Sequence, residues 1–289
     1  MLDLSIISVS YNTRELLREC LRSIFASRGD FTYEVFVVDN RSNDGSPEMV
    51  RTEYPQVKVM ISSVDGGYAY ANNLGLRQSS GRYILLLNPD TVLPTNALSQ
   101  MLSFMEEHPE AGAAGPKLVR ADGSLDLACR RSFPTPLVSF YQMTGLSRIL
   151  PGSPRFGRYN LTYLDPDETA EVDSVVGAFM MVRRQAIEQA GLLDESFFMY
   201  GEDLDWAFRI KQKGWKIYYY PKVQVLHYKR ESSKQRPLRT SFEFYRSMYI
   251  FHRKHYAANT FFLLNWLIFT GILLRGALAI VWALVRPRG

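Results

Sequence analysis

The sequence predicts an α/β fold, a mostly parallel sheet with helices on both faces. Extended and helical patterns alternate without a break from Leu4 to Leu87, as in a chain that winds strand, helix, strand. One strand in that alternation, Tyr83 to Leu87, is apolar at every position, as a strand covered on both faces must be. Acids and amides gather just after the strands, at the carboxyl edge where open sheets bind their ligands.

Each element has its own reason. Leu4 to Ser10 reads as the first strand, beginning almost at the initiator Met, with no basic segment before it and too few apolar residues for a signal sequence. Arg14 to Phe25 is a helix with Leu16, Leu17, Leu21, Ile24 and Phe25 at helical spacing. Glu34 to Asp39 is a second strand, and Ser46 to Glu53 a short helix with Pro47 in its first turn, where a missing N–H costs nothing. Val57 to Ile61, Tyr68 to Gln78 and Tyr83 to Leu87 complete a βαβαβαβ run with right-handed crossovers.

Beyond Asp90 the order loosens. Asn96 to Glu107 reads as helix, Gly112 to Val119 as extended, and Asp122-Gly123 as a hairpin turn. Phe133 to Asp167, rich in Pro, Gly and Tyr and without a steady period, reads as an irregular loop on the acceptor side. Glu171 to Val182 reads as extended, broken by Gly177-Ala178 where a ligand could approach the backbone. Arg184 to Ala190 and Glu202 to Lys213 read as helices, and Trp215 to Tyr220 and Val223 to His227 as strands joined around Pro221.

At 289 residues and 46% hydrophobic, the chain can bury one large core with an appendage. The formal charge of +5 is unevenly spread: Met1 to Tyr228 carries about 23 basic and 27 acidic residues, so the positive excess lies in the tail. Beside an apolar segment, such a basic cluster fits anionic lipid better than nucleic acid, for which no motif is present. Cys20 and Cys129 have no partner at metal or disulfide spacing, consistent with a reducing compartment. Phe261 to Val285 is long enough to cross a bilayer of about 30 Å. Its single charge, Arg275, would cost at least about 2.5 kcal/mol in mid-span. Three readings stay open: a tilted span, a helix lying in the interface after the basic, aromatic run Phe242 to Tyr256, and an apolar contact between two copies of the chain. Both membrane readings place the protein at the cytoplasmic face of the cell membrane.

The candidate site residues fall at strand ends. Ser10, Tyr11 and Asn12 follow the first strand, and Asp39 ends the second with no capping duty, whereas Asp44 and Ser46 read as caps. Asp65, with Gly66 and Gly67, precedes a helix that carries Asn72 one turn in. Asn88-Pro-Asp90 offers a neutral and an anionic oxygen to a hard divalent cation, the common way to neutralise a diphosphate. Glu202, Asp203 and Asp205 open a helix whose dipole favours ionised carboxylates, and His227 closes the next extended segment as a metal ligand. Glu202 and Asp203 point about 100° apart and cannot face one ligand equally, so the three carboxylates are rivals for a single general-base task.

Taken together, Ser8 to Asn12, Val38 to Asn40 with Asp44 to Ser46, Gly66 to Tyr68 with Asn72 to Gly75, Leu87 to Asp90 and Gly201 to Asp205 resemble the inverting family 2 glycosyltransferases, nearest the rhamnosyltransferase-like branch. The resemblance runs from about Leu4 to His227. It implies a GT-A fold, a dTDP- or UDP-linked sugar donor, and Mg²⁺ or Mn²⁺. Asp39 would then contact the base, Asp90 and His227 the metal, and Asp203 would be the general base. Asn88 replaces the first acid of the family's Asp-x-Asp motif. The implied reaction moves rhamnose or a related hexose to a lipid-linked or cell-envelope glycan. Residues 1–230 would form the catalytic domain, nucleotide-binding to 120 and acceptor-binding beyond, and 231–289 the membrane-associating helices. The alternative is an inactive binding scaffold of the same fold, opposed by the presence of Asp39, Asp90, Asp203 and His227 together.

Overall fold

The computed structural model describes residues 2–228 and 236–285. In chain order the elements are β1 (Leu4–Ser10), α1 (Arg14–Phe25), β2 (Tyr33–Asp39), α2 (Ser46–Glu53), β3 (Lys58–Ile61), α3 (Gly67–Gln78), β4 (Tyr83–Leu87), β5 (Thr91–Val92), α4 (Ala97–Glu107) and β6 (Ala111–Val119). Then come α5 (Pro136–Thr144), α6 (Leu146–Ile149), β7 (Ala170–Val172), β8 (Phe179–Arg183), α7 (Arg184–Ala190), α8 (Glu202–Gln212), β9 (Lys216–His227), α9 (Pro237–His255) and α10 (Phe262–Val285). The basic run 229–235 and the arginines after Val285, which carry part of the tail's charge, lie outside the described residues.

One nine-stranded sheet organises the molecule, in the order β3-β2-β1-β4-β8-β6-β9-β5, with β7 also on β9. Its first half, β3 to β4, is wholly parallel, as the βαβ alternation requires. Every residue of β4 is buried, because helices cover the sheet on both sides of it. Past β4 the sheet is mixed: β8 runs antiparallel to β4 and β6, while β6 runs parallel to β9. A second apolar cluster of Phe197, Leu204 and Phe251 seats α9 against α8.

Three stretches differ from their sequence reading. Phe133 to Asp167 holds two helices, α5 and α6; Pro136 occupies the first turn of α5 and the Thr135 hydroxyl accepts from the Val138 N–H, so the proline that suggested a loop starts a helix instead. The Glu171 to Val182 segment divides into β7 and β8, which pair with different strands. Lys216 to His227 is one continuous strand, with Pro221 at a register shift against β6 where a ladder bond is not required of it. The Asp122-Gly123 turn is present, with Gly123 at φ 77° and Val119 bridging Leu125.

Leu85 lies in the middle of β4 with no exposed surface, between Ile6 of β1 and Met181 of β8. Replacing it with Ala should cost about 2–5 kcal/mol, read as a lowered midpoint in denaturant unfolding with unchanged slope.

Candidate active site

The carboxyl ends of β1, β2 and β4 meet at one edge of the sheet. Asp39 is buried there; its Oδ1 accepts from the Ser42 N–H at 2.9 Å, while Oδ2 has no partner. Beside it, Asn40 donates to Asp65 at 3.1 Å, leaving its own Oδ1 unpaired. Ser10 pairs with Thr13, and Asn12, at φ 50°, accepts the Asn43 N–H and donates its own to Ser42. Asn72 donates to the Tyr68 carbonyl with its Oδ1 free of partners. Buried polar atoms left unpaired cost about 1–3 kcal/mol each. Their gathering at one edge marks a place built for a polar ligand.

Two residues do something other than the sequence suggested. Gly67 has φ 82°, and a Cβ there would lie 2.1 Å from the Phe198 carbonyl, so the close approach it permits is to the protein's own backbone. Asp65 is engaged by Arg236 and Arg239 at 2.5 Å each, with Arg236 stacked 4.0 Å over the Tyr11 ring. These arginines stand at the start of α9 and had no signal in the sequence beyond their charge.

Asp90 and His227 come together because β5 pairs with β9, setting Thr91 opposite His227. Asp90 Oδ1 and His227 Nε2 lie 3.3 Å apart, both buried, and neither makes a hydrogen bond. The other imidazole nitrogen, Nδ1, is 3.0 Å from Asp126, a residue the sequence reading missed. Burial works against a charged imidazole, but Asp126 and Asp90 outweigh it and raise His227 to about 9. Among the described residues no cluster of three His, Cys, Asp or Glu side chains forms a closed metal site. Once the Nε2 proton is displaced, Asp90 Oδ1 and His227 Nε2 fit a cation that takes its remaining ligands from phosphate and water. The Asp126 partner is the kind of carboxylate that orients a ligating imidazole.

Asp203 occupies the first turn of α8 and is buried. Its Oδ2 accepts from Arg131 at 2.7 Å and from the Gly177 N–H at 3.0 Å, and its Oδ1 from the Leu204 N–H at 2.7 Å. Arg131, buried and also bonded to the Val175 carbonyl, is the second residue that sequence reasoning missed. It sits beside a Pro-rich stretch that conceals its register. Glu202 is buried with Oε2 unpaired, and burial together with the neighbouring Asp203 carboxylate raises its pKa. Asp205 faces away: its oxygens take Arg209 at 2.8 Å and Lys254 and His255 at 2.7 Å each. Oδ1, with Lys254 and His255, holds α9 on α8, and Oδ2 is taken by Arg209 of α8 itself; with both oxygens engaged inside the protein, the substrate contact expected of Asp205 is corrected.

Backbone bonds link the two acidic elements. The Asn88 N–H donates to Ala178 at 2.9 Å, and the adjacent Gly177 N–H reaches Asp203. Tyr68 closes the gap, donating to the Gly177 carbonyl at 2.8 Å, with its hydroxyl against the position a Gly177 Cβ would occupy. The edge thus presents, in sequence, unpaired buried polar groups, an Asp–His pair, and a buried carboxylate bonded to Arg131. That order suits a nucleotide, its diphosphate and the group it carries.

Comparison with known proteins identifies the family and the fold. The sequence profile of glycosyl transferase family 2 matches residues 5–191. N-acetylglucosaminyl-diphospho-decaprenol L-rhamnosyltransferase of Mycobacterium tuberculosis is 28% identical over 296 residues, covering 99% of this chain and 95% of its own. Among solved structures, S. aureus TarS residues 1–349 in complex with UDP superposes with TM-score 0.57 at 18% identity, over 94% of this chain and 71% of that one. GalNAc-T7 with UDP, GalNAc and Mn²⁺ gives TM-score 0.57 at 16% identity; the match spans 78% of this chain and 44% of the larger protein. The fold is that of the GT-A sugar transferases. The chain belongs to glycosyl transferase family 2, and the expected class of sugar-transferring enzyme with rhamnosyltransferase relatives holds.

Burial opposes ionisation of Asp205, yet the bonds from His255, Arg209 and Lys254 bring its pKa down to about 2 from an ordinary 3.8. Its folded value lies below its unfolded one, so this stabilisation is complete above about pH 4 and fades as pH falls toward 2. Asp205→Asn should therefore lose on the order of 2–4 kcal/mol at neutral pH and show a shallower acid dependence, measured by urea unfolding across pH.

Proposed function

We propose that this protein transfers a hexosyl unit, rhamnose or a related sugar, from a dTDP- or UDP-linked donor to a lipid-linked or cell-envelope glycan at the cytoplasmic membrane face, with inversion. The observation that carries the reading is the connection of the Asp90 turn to Asp203 through Ala178 and Gly177. It puts a group suited to the departing diphosphate and a group suited to the incoming alcohol on the two sides of one small-residue step. The likeness to a decaprenol-linked rhamnosyltransferase supports the sugar and acceptor class.

In this reading the nucleotide lies along the β1 and β2 ends, with Asp39 Oδ2 and Asn40 Oδ1 offered to the base and ribose. Asp90 and His227 would hold Mg²⁺ or Mn²⁺, which when bound neutralises charge on the diphosphate. Asp203 accepts the proton of the acceptor hydroxyl as that oxygen attacks the anomeric carbon from the face opposite the leaving group. Arg131 and the Gly177 N–H fix the carboxylate in place before the reaction. Glu202, held neutral beside it, adds no second charge to repel the donor.

Asp203→Asn should lower turnover by about 10²–10⁴-fold while leaving donor affinity, measured by calorimetry, nearly unchanged; wild-type turnover would remove the base assignment. Exhaustive chelation should abolish transfer, with recovery on adding Mg²⁺ or Mn²⁺. Full activity after chelation would instead assign charge compensation to the His227 imidazolium.

A further inference from the structure

The helix α10 is long and apolar enough to cross a membrane, but its packing argues against a crossing. Asn265 is bonded to His252 at 2.7 Å, Phe269 packs on Tyr249 at 4.9 Å, Ile272 is buried, and Gly276 lies against Tyr245. These positions recur at helical spacing and form one stripe along α10 that faces α9. That helix cannot follow it into hydrocarbon. Arg246 and Lys254 on α9 are tied to Ser196 and Asp194 of the catalytic body. What remains of α10 past Gly276 is nine residues, about 13 Å of helix, against a hydrocarbon core of about 30 Å.

The other side of α10 is apolar and open, with Trp266, Leu273, Leu278 and Trp282 each more than half exposed. Its one charge does not interrupt that surface, because Arg275 donates to the carbonyl of Met143 near the end of α5. This bond brings α10 alongside a second exposed apolar group, Leu137, Phe140, Ile149 and Leu150 of α5 and its extension. From Arg131 to Leu164 there are four arginines and no acid, and three of them, Arg148, Arg155 and Arg158, are exposed around these helices. Exposed apolar side chains ringed by one sign of charge fit an anionic headgroup layer over a hydrocarbon boundary.

We propose that α5, α6 and α10 form one lipid-facing surface on which the enzyme lies, with α10 in the plane of an anionic bilayer's headgroup boundary instead of across the membrane. The inference rests on the reading of the protein as membrane-associated and extends it to an orientation and to a second element. The orientation has a chemical use. The helix α5 begins five residues after Arg131, which holds Asp203. An alcohol presented at headgroup height on a lipid-linked glycan thus meets the edge of the protein that carries the base.

The full-length chain allows a direct test, since Cys20 and Cys129 are buried and an introduced exposed thiol labels ahead of them. Ile149→Cys and Leu278→Cys, each carrying an environment-sensitive fluorophore, are mixed with phosphatidylcholine vesicles with and without phosphatidylglycerol. Both labels should shift to the blue on the anionic vesicles and be quenched more by spin labels near the headgroup than by labels at the bilayer centre. A response confined to Leu278, strongest with bilayer-centre quenchers, would overturn the flat orientation while leaving membrane association standing. Silence at both sites would remove both readings. A blue shift that follows protein concentration without vesicles would assign the surface to a second copy of the chain and overturn the proposal.

Discussion

The antiparallel pairing of β4 with β8 is the constraint on which the site depends. A purely parallel sheet would send the strand after β4 away from the carboxyl edge, through a crossover, and return it pointing the same way. Because β8 runs the opposite way, Leu87 at the end of β4 faces Phe179 at the start of β8, and the residues just before β8 arrive at the ligand edge. Gly177 and Ala178 are those residues. Their small side chains leave the backbone open to three partners at once: Asn88 on one side, Tyr68 above, and Asp203 on the other.

Around that junction the protein holds buried carboxyl groups in different ways. Asp205 is satisfied on every side and serves as a fastening between α8 and α9. Asp203, two residues earlier, has one oxygen fixed by Arg131 and Gly177 and shares its turn with a carboxyl kept neutral. Asp90 and His227 are left without hydrogen bonds to each other despite their closeness. A helix turns about 100° per residue, so the Asp203 and Asp205 carboxyls, two positions apart, point to nearly opposite sides and meet different partners. The cost of the unpaired atoms is met by the large apolar core beneath the sheet.

The first half of the fold was legible because its physics is local. The 2-residue and 3.6-residue periods from Leu4 to Leu87 mark each strand and helix, and β4 announces its burial by having no polar residue. The mixed half was harder. Whether β8 runs with or against β4 depends on the route between them, and α5 was hidden by prolines and glycines that also suit a loop. At the site, Asp39, Asp90, Asp203 and His227 stood out because acids and a His at strand ends are conspicuous. Arg131, Asp126, Arg236 and Arg239 did not, for each acts across a long sequence separation and looks like an ordinary charge in its own neighbourhood. Asp205 misled for the converse reason: its position beside Asp203 suggests a shared ligand, while the partners that claim it, Lys254 and His255, lie some fifty residues on.

The helix α9 is riveted at both ends, by Arg236 and Arg239 to Asp65 near the β3 end and by Lys254 and His255 to Asp205 in the first turn of α8. A shortened version of the chain ending at the last strand, the natural choice for making a detergent-free enzyme, would therefore strip counter-charges from two acids at once, one of them wholly sealed from water. The natural place to cut is the 3-10 turn at Ala257–Asn259, beyond both rivets. The portion that reads as a removable tail is, for its first half, a strut joining the loop before α3 to the start of α8.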